Sequence, residues 1–232
     1  TQRNPTPYDG EAYYHLGLSL KLQGQYQQAF DAFYKATWNA AWQDSAYFEL
    51  AQLACREGRL QEALDLVERS LARNPSHHNA WHLKVALLRH LQRTDDAKSV
   101  ITTTLNLDPT HYGVLYEKHL LTGEDTYQQL MQNNAHTYIE MALLYAHAGL
   151  FEDAIALLSA APQTDPMVYY YLGWVQLSAG DEQTAMQTVK AAAQLSADYC
   201  FPHRIECVPA LQSAIKLRPE DARTPYYLGN FW

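Results

Sequence analysis

Tyr13-Tyr14-His15-Leu16-Gly17-Leu18-Ser19-Leu20 has a counterpart at Tyr47-Phe48-Glu49-Leu50-Ala51-Gln52-Leu53-Ala54 and another at Trp81-His82-Leu83-Lys84-Val85-Ala86-Leu87-Leu88. The steps from Gly17 to Ala51 and from Ala51 to Val85 are both 34 residues. Ala29, Ala63 and Ala97 keep the same step, as do Pro75 and Pro109. Such a period is expected when one helical hairpin is copied along a chain. Within each copy, apolar residues recur at three- and four-residue intervals, the spacing of an amphipathic helix.

The residue types follow from backbone proximity. A small residue midway along the first helix and an alanine early in the second remove bulk where two backbones approach, while aromatics fill the wider gaps. A large residue at Ala63 or Ala154 should therefore overpack the hairpin by ~1–3 kcal/mol. Gly24, Gly58, Gly149 and Gly180 fall between paired helices, where a left-handed residue commonly ends the first of them. Proline at the unit ends stops the second helix. One hairpin cannot bury its own apolar face, so stability comes from stacking on neighbours.

Further units open at Tyr138-Ile139-Glu140-Met141-Ala142, Tyr169-Tyr170-Tyr171-Leu172-Gly173 and Tyr226-Tyr227-Leu228-Gly229. The step from Val85 to Ala142 is 57 residues and that from Gly173 to Gly229 is 56, so both intervals hold something extra. The expected organisation is three repeats over 1–110, a shortened irregular hairpin over 111–134 and two repeats over 135–196. An irregular loop plus helix over 197–221 and the start of a truncated repeat over 222–232 complete it.

Composition limits the function classes. The 232 residues are 47% apolar and 18% charged, enough for a packed core. A net charge of −8 argues against a surface that neutralises phosphates, so nucleic acid is not an expected partner. No apolar run approaches the roughly 20 residues of a membrane helix, and no membrane partner is expected. The N-terminal residues lack the pattern of a signal peptide. Three cysteines, Cys55, Cys200 and Cys207, are too few and scattered for a disulfide framework and fit a cytoplasmic setting. The abrupt start and the ending inside a helical pattern read as a fragment of a longer protein.

With a large residue, then Leu-Gly, then an aromatic, then Ala and Phe downstream, the chain resembles tetratricopeptide repeats over most of its length. The resemblance implies an all-α, right-handed superhelical helix-turn-helix solenoid with two irregular insertions. It also implies a concave groove lined by Tyr14, Lys21, Phe48, Arg56, Asn79, His82, Arg89, His90, His136, Tyr170 and Trp174. Lys21, Arg56 and Arg89 among aromatics suit an anionic segment stacked on rings. Residues 4–14, 32–42 and 198–204 are similar to segments of large bacterial tetratricopeptide proteins whose N-terminal half is a domain of unknown function. That likeness implies a preceding β-rich domain of the kind related to sugar mutarotases.

Chemistry-bearing residues are sparse. Cys200, His203 and Cys207 are spaced C-x2-H-x3-C, but a structural zinc site needs a fourth ligand and the sequence supplies no second pair. Cys200 and His203 could also form a nucleophile and base, yet no third group or oxyanion hole is assignable. His78 and His82 share a helix face without the intervening glutamate of a zinc protease. Trp38 and Trp42, four apart, form either an aromatic platform or core filling. No catalytic residue, metal or cofactor is therefore assigned. The expected partner is a protein, a peptide or a flanking domain of the same polypeptide, with carbohydrate as a further candidate. The alternative is an accessory solenoid of a carbohydrate-active enzyme whose active domain lies N-terminal. Charge reversal at Arg56 and Arg89 is expected to weaken the contact without unfolding the chain.

Overall fold

The computed structural model describes residues 9–198 and 200–232; positions 4–8 and Tyr199 of the quoted segments lie outside the described residues. The described residues form helices and no strand, an all-α helical-repeat fold. They divide into two compact units, one running to residue 130 with 147–149 added, the other comprising 131–146 and 150–232.

In the first unit α1 (Glu11–Leu22) pairs with α2 (Tyr26–Ala36), α3 (Gln43–Arg56) with α4 (Leu60–Arg73), and α5 (His78–His90) with α6 (Thr94–Leu107). Helix α7 (Tyr112–Thr122) packs on α5 and α6, and α8 (Thr126–Met131) adds one short turn-and-a-half. Helix α4 shows why these segments are helical. Ala63, Leu64, Val67 and Leu71 recur at helical spacing and are buried, while Gln61, Glu62, Asp65, Glu68 and Arg69 face water. Each large apolar side chain so buried contributes about 1.5–3 kcal/mol. Ala29, Ala63 and Ala97 are completely buried, as are Ala154 and Ala185 of the second unit, which is where close backbone approach requires a small residue.

The turn between helices is set by packing as much as by glycine. At Gly58, φ is +77° and its N–H donates to the Cys55 carbonyl at 2.9 Å, while Arg59 N–H donates to Ala54 at 2.9 Å. Between α5 and α6 the same turn is made by Gln92 at φ +58°, with N–H donation from Gln92 to Arg89 and from Arg93 to Leu88, both 2.9 Å. A non-glycine residue tolerates this region only where its surroundings enforce it.

The 34-residue register continues into α7. His77 caps α5, its Nδ1 accepting from Ala80 N–H at 3.2 Å, and His111 caps α7, accepting from Val114 N–H at 3.3 Å. Asn74-Pro75 and Asp108-Pro109 precede them at the same step. The shortening lies after α7, in the six-residue α8.

The second unit contains most of α9 (Ala135–His147), then α10 (Phe151–Ser159), α11 (Pro166–Ser178), α12 (Glu182–Ala192), α13 (Cys207–Leu217) and α14 (Arg223–Phe231). Helix α11 packs against α10, α12 and α13, and α13 against α14. Pro166 opens α11 instead of stopping α10, with Asp165 as N-cap accepting from Met167 N–H at 2.8 Å. A proline in the first turn forfeits no intrahelical bond. The helix after the irregular loop starts at Cys207, leaving Ile205 exposed in a turn. Trp38 and Trp42 do not share a helix, because α2 ends at Ala36 and a short 3-10 turn occupies Ala40–Trp42. Trp38 is 73% exposed, whereas Trp42 packs its ring on Tyr14 at 4.9 Å. No helix among the described residues is long and apolar enough to cross a membrane.

Candidate functional site

In the first unit α1 bonds directly to α3, and α5 to α7, through inward-facing polar residues. Lys21 of α1 is buried and its Nζ lies 2.6 Å from both Glu49 Oε2 and Gln52 Oε1 of α3. Arg89 of α5 makes the corresponding bidentate pair with Glu117 of α7, Nε to Oε2 at 2.8 Å and Nη2 to Oε1 at 3.1 Å. Both pairs span 28 residues, and they recur two periods apart. The register positions between them hold Cys55 and Leu83, both buried. Arg56 stacks its guanidinium over the Tyr26 ring at 4.3 Å. The three cations named from sequence thus each have a partner inside the fold.

Aromatic and imidazole rings complete this row. Tyr14 contacts Phe33 and Trp42, and burial together with Glu49 and Asp44 pushes its phenol up to about 12. Phe48 is buried with its ring 4.6 Å from that of His77. His82 is buried under Gly113, where an added Cβ would stand 2.6 Å from its Nδ1. His78, on the same helix, instead contacts the His111 ring at 4.9 Å and Asp108 at 3.5 Å, so the two histidines serve separate contacts. Asn79 and His90 are exposed.

Of the remaining three positions, all in the second unit, His136 is exposed and Trp174 half-buried. Tyr170 is fully buried, its ring T-shaped on Tyr227 at 5.8 Å and its hydroxyl 3.5 Å from Thr224 Oγ1. It belongs to the core of that unit. Glu49 and Glu117 are the residues that sequence reasoning missed, and the repeated 28-residue spacing between a cation and a glutamate is the signal that marks them.

The cysteines face the wrong electrostatics for nucleophilic work. Burial and the nearby Asp165 carboxylate push the Cys200 thiol up to about 11, and burial with Glu206 does the same for Cys207. A thiol so placed stays protonated at neutral pH, whereas a reactive cysteine needs an electropositive setting. His203 is exposed, with Nδ1 3.2 Å from the Phe201 carbonyl. Among the described residues no group of three or more His, Cys, Asp or Glu converges to hold a metal ion.

The two capping histidines make a pH dependence. Burial holds His77 and His111 below the ordinary histidine value of 6.5; at His111 the neighbouring His78 adds to this while Asp108 opposes it, and at His77 Asp44 and Glu49 oppose it. The folded chain therefore takes up these protons less readily than the unfolded one. Their contribution is complete above pH 6.5, declines as pH falls below it and levels off beneath the depressed native values. Asp44 and Asp108 are both held below 3.8 and act in a separate, more acidic window. Urea midpoints measured from pH 7.5 to 5.5 should fall, and His111→Asn, which retains a capping oxygen, should flatten the slope. An unchanged slope in that variant would remove His111 from the account.

Tetratricopeptide-repeat family models match residues 11–39, 44–87 and 139–199, together more than half of the chain. Among solved structures, a tetratricopeptide repeat protein from Parabacteroides merdae is 18% identical with a TM-score of 0.45, the match covering 93% of this chain and 86% of that one. TTC0263, a thermophilic TPR protein in Thermus thermophilus, is 18% identical with a TM-score of 0.43 over 95% and 98% of the two chains. YrrB, a TPR protein with an unusual peptide-binding site, is 15% identical with a TM-score of 0.40 over 88% and 91%.

Proposed function

Because this chain belongs to the tetratricopeptide-repeat family, we propose that it is a protein- or peptide-binding scaffold that holds its partner on the row of first helices and has no catalysis of its own. The observation that carries this reading is the direct bonding of one first helix to the next, Lys21 to Glu49 and Arg89 to Glu117. It aligns α1 with α3, and α5 with α7, so that corresponding side chains of neighbouring repeats lie on one face. Repeat folds use such extended faces for binding.

The internal ion pairs change the chemistry of that face. A partner carboxylate must displace Glu49 or Glu117 to reach Lys21 or Arg89, and both displacements uncover a buried charge. Recognition accordingly rests on the exposed Asn79 and His90 and the half-buried Tyr14, which offer amide and ring surface.

Peptides selected by display against the purified chain are expected to lose at least ten-fold in affinity on Asn79→Arg or His90→Asp, with the circular dichroism spectrum unchanged. Peptides indifferent to both substitutions would remove this face from the proposal. Failure to select any peptide would count against the scaffold reading itself.

A further inference from the structure

The starts of α3 and α5 are tied down at equivalent positions by different residues. At α3, Ser70 Oγ donates to the Asp44 carbonyl at 2.8 Å and Asn74 Nδ2 to the Asp44 carboxylate at 2.9 Å. One 34-residue step later, His78 stands for Asp44, Thr104 for Ser70 and Asp108 for Asn74. Here the carbonyl of residue 78 goes instead to His111, whose Nε2 lies 3.1 Å from it. The Thr104 hydroxyl is left buried, with no hydrogen-bond partner. The other ring nitrogen of His111, Nδ1, accepts from Val114 N–H at 3.3 Å, so the ring's proton sits on Nε2. The imidazole bridges α5 and α7 only while it is neutral.

From this arrangement we infer that His111 is an acid-released clasp between α5 and α7, with the Thr104 hydroxyl as the donor that takes over the His78 carbonyl once the ring leaves. Protonation at Nδ1 sets one N–H against another, that of Val114, and ends the cap. It also adds a charge 4.9 Å from the His78 ring, which titrates in the same range. Asp108, 3.5 Å from His78 Nδ1, offsets part of that repulsion. Helix α5 turns two further charged or titratable groups toward α7: His82, against Gly113, and Arg89, bonded to Glu117. Burial and His78 hold His111 below 6.5, so the folded chain favours the bridging form. At the start of α3 the donors are a hydroxyl and an amide, which do not titrate, and that tie persists through the same range. The clasp works whether or not a partner lies on the first-helix row.

Amide hydrogen exchange of the intact chain at pH 7.5 and 5.0, read as protection over residues 114–117 and 50–53, tests this. Protection in α7 is expected to fall at least five-fold. The ceiling is about 30-fold, the factor by which a released imidazole of ordinary pKa is protonated at pH 5.0. In α3 the change should stay under two-fold. His111→Asn should bring the α7 change under two-fold as well. Thr104→Val should keep full protection at pH 7.5 and at least halve the loss at pH 5.0, because a departing ring then leaves the carbonyl without a donor. Equal losses in α3 and α7, or a full loss in His111→Asn, would overturn the inference. So would lowered protection at pH 7.5, or an unaltered acid loss, in Thr104→Val.

Discussion

Replacing Arg89 by methionine is expected to destabilise the first unit by about 3 kcal/mol. Glu117 is completely buried and accepts both hydrogen bonds of the Arg89 guanidinium, whose own side chain is only 19% exposed. Removing the cation leaves a buried carboxylate that must stay charged without it or take up a proton. Either course costs free energy, and the estimate stands at the lower end of the usual range because water can enter past the exposed edge of residue 89. Replacing both partners, Arg89→Met with Glu117→Met, should recover most of the loss, since a buried pair exchanged for apolar side chains of similar volume is often near neutral. Urea unfolding of the two variants checks this, and a loss under about 1 kcal/mol in the single variant would sink it. The same pair corrects the sequence-based expectation that charge reversal at Arg89 spares the fold. Arg89→Glu would bury two carboxylates together, so a binding defect in that variant could not be separated from unfolding. Arg56 is likewise engaged inside the fold, on the Tyr26 ring.

How much was legible in the chain depends on what kind of interaction leaves a pattern. Steric contacts do: wherever two backbones approach, only a small residue fits, so Ala29, Ala63 and Ala97 repeat at one step and predict the hairpins. Long-range polar pairs leave a fainter trace. The residues expected to line a groove included Lys21 and Arg89 but not Glu49 or Glu117, so the cations read as available when each is half of an ion pair. The interval of 57 residues between Val85 and Ala142 hid the fact that α7 keeps the register and α8 alone is cut short. Ring spacing misleads for a related reason. Trp38 and Trp42 are four apart, but that spacing implies a shared face only on a continuous helix, and the chain turns between them.

The same chemical change, glycine to alanine inside a helix, should act with opposite sign at Gly17 and Gly229. Alanine is the better helix former by about 1 kcal/mol, which is the whole effect where the added methyl group meets nothing. Gly229 in α14 is such a place: among the described residues, nothing beyond its chain neighbours and its own helix backbone lies within 4 Å of an added Cβ. Gly17 in α1 is the reverse, for its Cβ would stand 2.6 Å from two ring carbons of Phe33 and 2.9 Å from a third. Phe33 is completely buried and its ring also touches Tyr14, so it cannot swing aside without moving α2. Overpacking of this kind typically costs about 1–3 kcal/mol and here outweighs the propensity gain of about 1 kcal/mol, for a net loss of about 1 kcal/mol. Gly17→Ala combined with Phe33→Leu should lose less than the sum of the two single changes, because the smaller side chain vacates the space the methyl group needs. Thermal unfolding of the three variants and of Gly229→Ala checks the argument. If Gly17→Ala proved as stable as the parent chain, close contact between α1 and α2 would not be what selects a small residue at that step of the repeat.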